Sequence, residues 1–354
     1  MGPRAMSGFR RVPYPSRVPR ARPTIRLGVF VPGVPIPMHW VTLWLTCALL
    51  VASPWISACG DAPDAHDSAL AELEQLAFVP ADSVQLTARA GPAVTCANGE
   101  PLLIDRFEIS RGRWLRFQAT RTESWNPILL DRTAAWSEDT WSWAATWMNR
   151  EEARAFAASR GMRLPTAREW LRVALGTRGL NFPWGDGFAN RVANTWDLGL
   201  GRPAAVGTFE LGATTLGTYD MCGNVWEWVE EPIDSAPRDG RAWAMGGAYS
   251  SVLRRLWDRD AEGRLTFERL ELDPDSRGED VGFRCVVSAR EYLSRHADEW
   301  GDDTESRRRL VAVGRRFGRD AVPLLDELVR GGRAGSGLRW LLEGAQPSTT
   351  RGER

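Results

Sequence analysis

A loop-rich globular domain with a tryptophan core, followed by a helical extension, is the organisation that three observations predict. Of the 354 residues 18 are Trp and 4 are Tyr, and most of the Trp lie between Trp114 and Trp257; planar side chains at that density fill the space between irregular loops. From Gly176 onward Gly and Pro punctuate the chain so often that long elements are excluded. From Tyr292 to Leu328 apolar residues instead recur at helical spacing.

Composition narrows the chemistry. With 43% hydrophobic and 25% charged residues the chain is long and apolar enough for about two domains. The 45 basic residues balance 45 acidic ones, which leaves no net charge for nucleic-acid binding. All the basic residues are arginine, so Schiff-base and P-loop chemistry are excluded. The three histidines, His39, His66 and His296, fall outside the central stretch. Ser-His-Asp and Cys-His catalysis, a facial-triad iron and most catalytic zinc sites therefore have no ligands there.

Residues 1–37 are rich in Pro and Arg and lead into the apolar run Trp40 to Ile56. That layout is a leader over 1–58, with Met38 as an alternative start. The run ends in Ile56-Ser57-Ala58-Cys59, which resembles the lipobox of bacterial lipoproteins and implies lipidation of Cys59 after cleavage behind Ala58. A plain signal peptide or a single anchor helix is the alternative, and each places the domain outside the cytoplasm. Gly60-Asp61 after the cysteine lacks the immediate Asp that retains some lipoproteins at the inner membrane, which favours the outer one. Residues 59–77, acidic and Ala-rich, read as a tether or short helix.

Leu102 to Ile109 reads as a strand and Glu151 to Ser159 as a helix ended by Gly161. Thr166 and Glu169 form a capping box that opens a helix from Ala167 to Leu175, stopped by Gly176. Amphipathic helices fill 289–345, with His296 half-buried on a stripe, and residues 346–354 read as a disordered tail.

Six motifs occur in order. Arg163-Leu164-Pro165-Thr166 with Glu169-Trp170 is followed by Phe182-Pro183-Trp184-Gly185-Asp186 with Ala193-Asn194, and then by Val206-Gly207-Thr208-Phe209. Gly217 to Trp228, Met245-Gly246-Gly247-Ala248-Tyr249 and Val281-Gly282-Phe283-Arg284-Cys285 complete the set. Together they resemble the formylglycine-generating enzyme family, also called sulfatase-modifying factors, over residues 78–288. The resemblance implies an α+β fold of the C-type-lectin type, with small sheets, few helices and extensive loops.

Gly223-Asn224 offers a turn tolerant of positive φ, so that carbonyls of Gly223 and Val225 can join the carboxylates of Asp220 and Glu227 around a calcium ion. The resemblance implies the same four positions; the alternative is a turn whose acids are satisfied by arginine or backbone amides. A second family calcium site begins at Asn194-Thr195, but the loop Trp196 to Pro203 lacks the Asp-Gly-aromatic pattern that completes it.

In the family two cysteines hold Cu(I), which binds oxygen ligands poorly. Their positions correspond here to Ser251 and Leu256, and an active-site serine corresponds to Ala248. Copper is therefore not expected and the domain reads as a pseudoenzyme. The expected function is a lipid-anchored envelope protein serving as a binding or scaffold module, with Trp226, Trp243 and Tyr249 lining a groove for an extended peptide or glycan. The alternative is an oxidoreductase of the family type, or another enzyme with a relocated site acting on protein cysteines. Asp258, Asp260, Glu227 and Tyr249 would be its acids and bases, with Arg254, Arg255 and Arg284 as anion partners. Cys285 matches a family disulfide cysteine whose usual partner position is Ala157, so the expected bridge is Cys96–Cys285 with Cys222 free and buried; the alternative leaves all three reduced.

Overall fold

The structure, a computed structural model, describes residues 65–347 except 82–83, 88–92, 97–98, 122–135, 177–179, 190, 231–239, 260–264 and 333–334. The chain divides into two units, residues 1–62 and 63–354. The expected leader and Cys59 lie outside the described residues, as does the tail from 348.

Two sheets carry the core. The first is antiparallel, with β1 (Leu76–Val79) and β11 (Val286–Ser288) flanking β4 (Leu102–Asp105). In the second, β5 (Trp226–Trp228) lies between β10 (Val281–Gly282), which it pairs in parallel, and β6 (Ala242–Met245), which also pairs β9 (Arg269–Leu272). Two hairpins, β2–β3 (Val84–Thr87, Ala93–Cys96) and β7–β8 (Trp257–Arg259, Leu265–Phe267), complete the strands. Trp114, Trp170, Trp228 and Phe283 are fully buried, so the tryptophan core is real.

Local chemistry sets the helix ends. In α3 (Arg150–Ser159) Asn149 accepts from the Glu152 amide at 2.9 Å, and Glu152 accepts from the Asn149 amide at 2.8 Å. The Thr166–Glu169 pair does the same for α4 (Ala167–Leu175), at 3.2 and 2.8 Å, and Gly176 at φ 62° ends it. Helix α2 (Arg111–Ala119) precedes α3 in the chain and is capped by Ser110. The expected strand over 102–109 stops at Asp105, because Arg106 and Phe107 bend the chain and carry Glu108 into the core.

Of residues 59–77, expected as a tether or a short helix, the described part is a helix and the start of a strand. Residues 65–74 form α1 (Ala65–Glu74), whose Leu70 and Leu73 are buried, and Leu76 already opens β1. One short helix, α5 (Leu253–Leu256), precedes β7, and the extension comprises α6 (Ala289–His296), α7 (Thr304–Phe317), α8 (Val322–Arg330) and α9 (Ser336–Ala345). Helix α7 packs on α1 and β1, where Arg309 pairs with Glu74 at 2.9 Å and Phe317 meets Phe78 at 5.8 Å. His296 is half-buried, with its ring 4.4 Å from Tyr292. Helices α7 and α9 touch backbone to backbone: a Cβ on Gly314 would lie 2.1 Å from the Leu341 carbonyl oxygen, and one on Gly344 would lie 2.2 Å from that of Val311. No helix among the described residues is long and apolar enough to cross a membrane.

Candidate functional site

The segment after β6 turns through Gly246 and Gly247, at φ 96° and 82°. Only glycine fits at 247, since a Cβ there would come within 2.4 Å of both Leu256 methyls. Leu256 is thus seated on the Gly247 backbone, buried beside the stacked rings of Trp170 and Trp257, whose planes differ by 11°. The space left between Trp170, Met245, Leu256 and Phe267 admits no water. Ser251 closes a turn instead of facing Leu256: its hydroxyl accepts from the Ala248 amide at 3.0 Å, and its own amide donates to the Ala248 carbonyl at 2.9 Å. Ala248 is buried. Two positions that a thiolate pair would need are therefore a turn-closing hydroxyl and a core methyl cluster.

The expected groove is not formed by the expected residues. Trp226, Trp243 and Tyr249 are only 6, 2 and 9% exposed. Trp226 sits on an interior strand, and the Arg269 guanidinium covers the Trp243 ring at 4.0 Å. Burial, with Glu279 and Asp280 nearby, pushes the Tyr249 phenol up to about 12, so it is no base at neutral pH. Two exposed aromatic residues instead contact the 251–254 segment. Trp196 is 67% exposed and its amide donates to the Ser251 carbonyl at 2.9 Å, while Phe188 is exposed beneath the Arg254 guanidinium at 4.7 Å. Leu200 and Leu211 are exposed in the same stretch of chain. A single sequence does not tell an exposed Trp from a core one, and Trp196 was read only as part of a short loop.

The turn from Asp220 to Trp228 has the expected backbone, with Gly223 and Asn224 at φ 83° and 62° and Asp220 itself at 57°. A Cβ at 223 would strike the Asn194 carbonyl oxygen at 2.3 Å. That carbonyl accepts from the Asn224 amide at 2.7 Å, and Asn194 Nδ2 donates to Asn224 Oδ1 at 2.9 Å. Asn224 Nδ2 and the Val225 amide in turn donate to Glu108, the latter at 3.1 Å.

Of the four positions expected to hold a calcium ion, Asp220, Gly223, Val225 and Glu227, the last is engaged by other side chains and the first keeps a buried oxygen unpartnered. Glu227 gives both carboxylate oxygens to Arg284, at 2.7 Å each, and one also accepts from Trp170 Nε1 at 2.8 Å. Arginine thus satisfies Glu227. Asp220 accepts from the Gly207 amide at 3.0 Å through Oδ2, while its buried Oδ1 has no hydrogen-bond partner. Burial, together with the nearby Glu227, pushes Asp220 up to about 6 despite the Gly207 amide and Arg284. Glu108, buried beside both acids, is raised well above the ordinary carboxylate range. Asn194 and Thr195 also serve the fold: Asn194 ties the turn to Arg202, donating to its carbonyl at 3.0 Å, and the Thr195 hydroxyl faces Asp197 at 3.4 Å.

Cys285, one half of the expected Cys96–Cys285 bridge, is free and buried. Its amide donates to Asp105 at 2.8 Å, and burial beside that carboxylate raises the thiol far above its usual range. The Cys96 side chain lies outside the described residues, as do those of Arg255, Asp258 and Asp260. Cys222 is free and buried, pushed up to about 12 by desolvation.

Residues 62–289 match the profile of the sulfatase-modifying factor enzyme 1-like domain. The chain is 32% identical over 154 residues to a bovine (Bos taurus) protein called inactive C-alpha-formylglycine-generating enzyme 2, covering 39% of this chain and 48% of that one. It is 41% identical over 92 residues to a hercynine oxygenase of Mycolicibacterium thermoresistibile, covering 24% of this chain and 20% of that one. Among solved structures, PvdO from Pseudomonas aeruginosa is similar at a TM-score of 0.45 and 20% identity, over 60% of this chain and 93% of that one. The match with the bovine relative spans about half of that protein's length.

Proposed function

This chain belongs to the sulfatase-modifying factor enzyme 1-like family, and within it we propose a non-catalytic binding or scaffold protein, held in the bacterial envelope by a lipid on Cys59. The observation that carries this reading is the state of the two family copper positions. Ser251 is spent on the Ala248 turn, and Leu256 fills the space a metal would need with hydrocarbon. Thiolates are the donors that Cu(I) selects, and neither residue supplies one. The similarity to a relative named as inactive supports the same reading.

A relocated catalytic site has poor material to work with. Glu227 is locked to Arg284 in a fully buried pair, and Tyr249 holds its proton. What the fold does present is the exposed aromatic face of Trp196 and Phe188, with Arg254, beside the old catalytic segment. Planar rings with one solvent face stack on the apolar faces of sugars or on peptide side chains, so an extended peptide or a glycan of the envelope is the proposed ligand.

The test is direct. Purified full chain incubated with Cu(I), oxygen and a cysteine-containing sulfatase peptide should yield no aldehyde by mass spectrometry. Formation of formylglycine would overturn the proposal in favour of an oxidoreductase acting on protein cysteines.

A further inference from the structure

A second cavity shares no residue with the segment Gly246–Leu256. It lies between α1, α2 and α3 and has a volume of about 670 Å³, within the size range of small-molecule sites. Its floor is aromatic, formed by Phe117 and Phe156 with ring centroids 5.1 Å apart in an edge-to-face pair. Three guanidinium groups surround that floor, from Arg113, Arg116 and Arg160.

The charges around it do not cancel. Arg160 grips Asp105, a residue buried below the cavity, with two bonds of 2.8 Å, and also donates through Nε to Glu72 at 2.7 Å. Arg113 donates to both Glu72 oxygens, at 3.0 and 2.8 Å, and stands 3.5 Å from Asp105. Two carboxylates thus hold two arginines. Arg116, exposed on the last turn of α2, has no carboxylate partner among the described residues. One positive charge is left over beside an apolar floor.

We infer that this cavity binds a small organic monoanion: a carboxylate that pairs with Arg116 and an aromatic or aliphatic body that rests on Phe117 and Phe156. A guanidinium matches a carboxylate through two parallel hydrogen bonds, which favours this anion geometrically. The single uncompensated charge favours a monoanion over a dianion. The Glu72–Arg113–Arg160 network fixes the walls, because it ties all three helices to β4 through Asp105.

Titration calorimetry on the full chain tests the inference with hydrocinnamate as the probe, against hydrocinnamide and phenyl phosphate. Hydrocinnamate should bind saturably, and the neutral amide about tenfold or more weakly, the factor expected for one charge-assisted contact. Arg116→Gln, at an exposed position outside the network, should lose about the same factor with an unchanged melting temperature. Arg254→Gln, on the aromatic face, should bind like the parent. No saturable binding of hydrocinnamate, equal binding of the amide, tighter binding of phenyl phosphate, or an unaffected Arg116→Gln would each overturn the assignment. None of these outcomes bears on the copper assay.

Discussion

Asp220 keeps a carboxylate where one oxygen meets the Gly207 amide and the other meets nothing. Its proton is held to about pH 6, whereas in the unfolded chain it leaves near 3.8. The folded state therefore binds the proton more tightly, and the stability this group contributes is greatest below the unfolded value and is lost as pH rises through about 6. Asp220→Asn keeps an acceptor for the amide, removes the charge and tolerates the positive φ. Its melting temperature should exceed that of the parent at about pH 8, by the equivalent of roughly 3 kcal/mol, and converge with it as the solution is acidified to about pH 4. A lower melting temperature at the alkaline end, or a parent protein destabilised by EGTA, would restore calcium to this turn. The turn itself was legible, since Gly-Asn announces positive φ. Its partners were not: Glu108 lies 116 residues from Asn224 and Arg284 lies 57 from Glu227, and no local pattern links such distant positions.

Among elements, those whose ends are specified by neighbouring residues were the readable ones. The helix Ala167–Leu175 was placed to the residue by Thr166, Glu169 and Gly176, because a capping box is a reciprocal bond between residues three apart. The strand beginning at Leu102 was read four residues too long, since alternation continues through the bend while sheet partners do not. The tryptophans of β5 and β6 were assigned to a groove for a similar reason: which side of a sheet is covered depends on what packs there, and Arg269 covers Trp243 from another strand. The crossing of α7 and α9 was invisible to periodicity, which registers apolar faces and not the absence of a Cβ. Gly344→Ala would place a methyl 2.2 Å from the Val311 carbonyl oxygen. We expect a loss of about 1–3 kcal/mol and weakened amide protection in both helices by hydrogen exchange. Unchanged protection would show that the two backbones are not in contact.

At the scale of the molecule, the α+β family domain and the helical extension form one unit, because α7 grips α1 and β1. The six ordered motifs made the family readable, since each is a backbone requirement of the fold; how the extension docks is carried by Arg309, Arg316 and Phe317, which belong to no such motif. If a lipid on Cys59 is the only attachment, Cys59→Ser should move the protein from the membrane to the soluble fraction of cells without changing its melting temperature, since that residue lies outside the unit that holds 65–347. Retention of the variant in membranes would point instead to an uncleaved anchor helix. The grip of α7 on α1 also bears on biosynthesis. Glu74 and Arg309 are 235 residues apart, so in a chain delivered amino end first this joint closes only after most of the chain has emerged. Docking of the extension onto the opening helix is thus a late step of maturation.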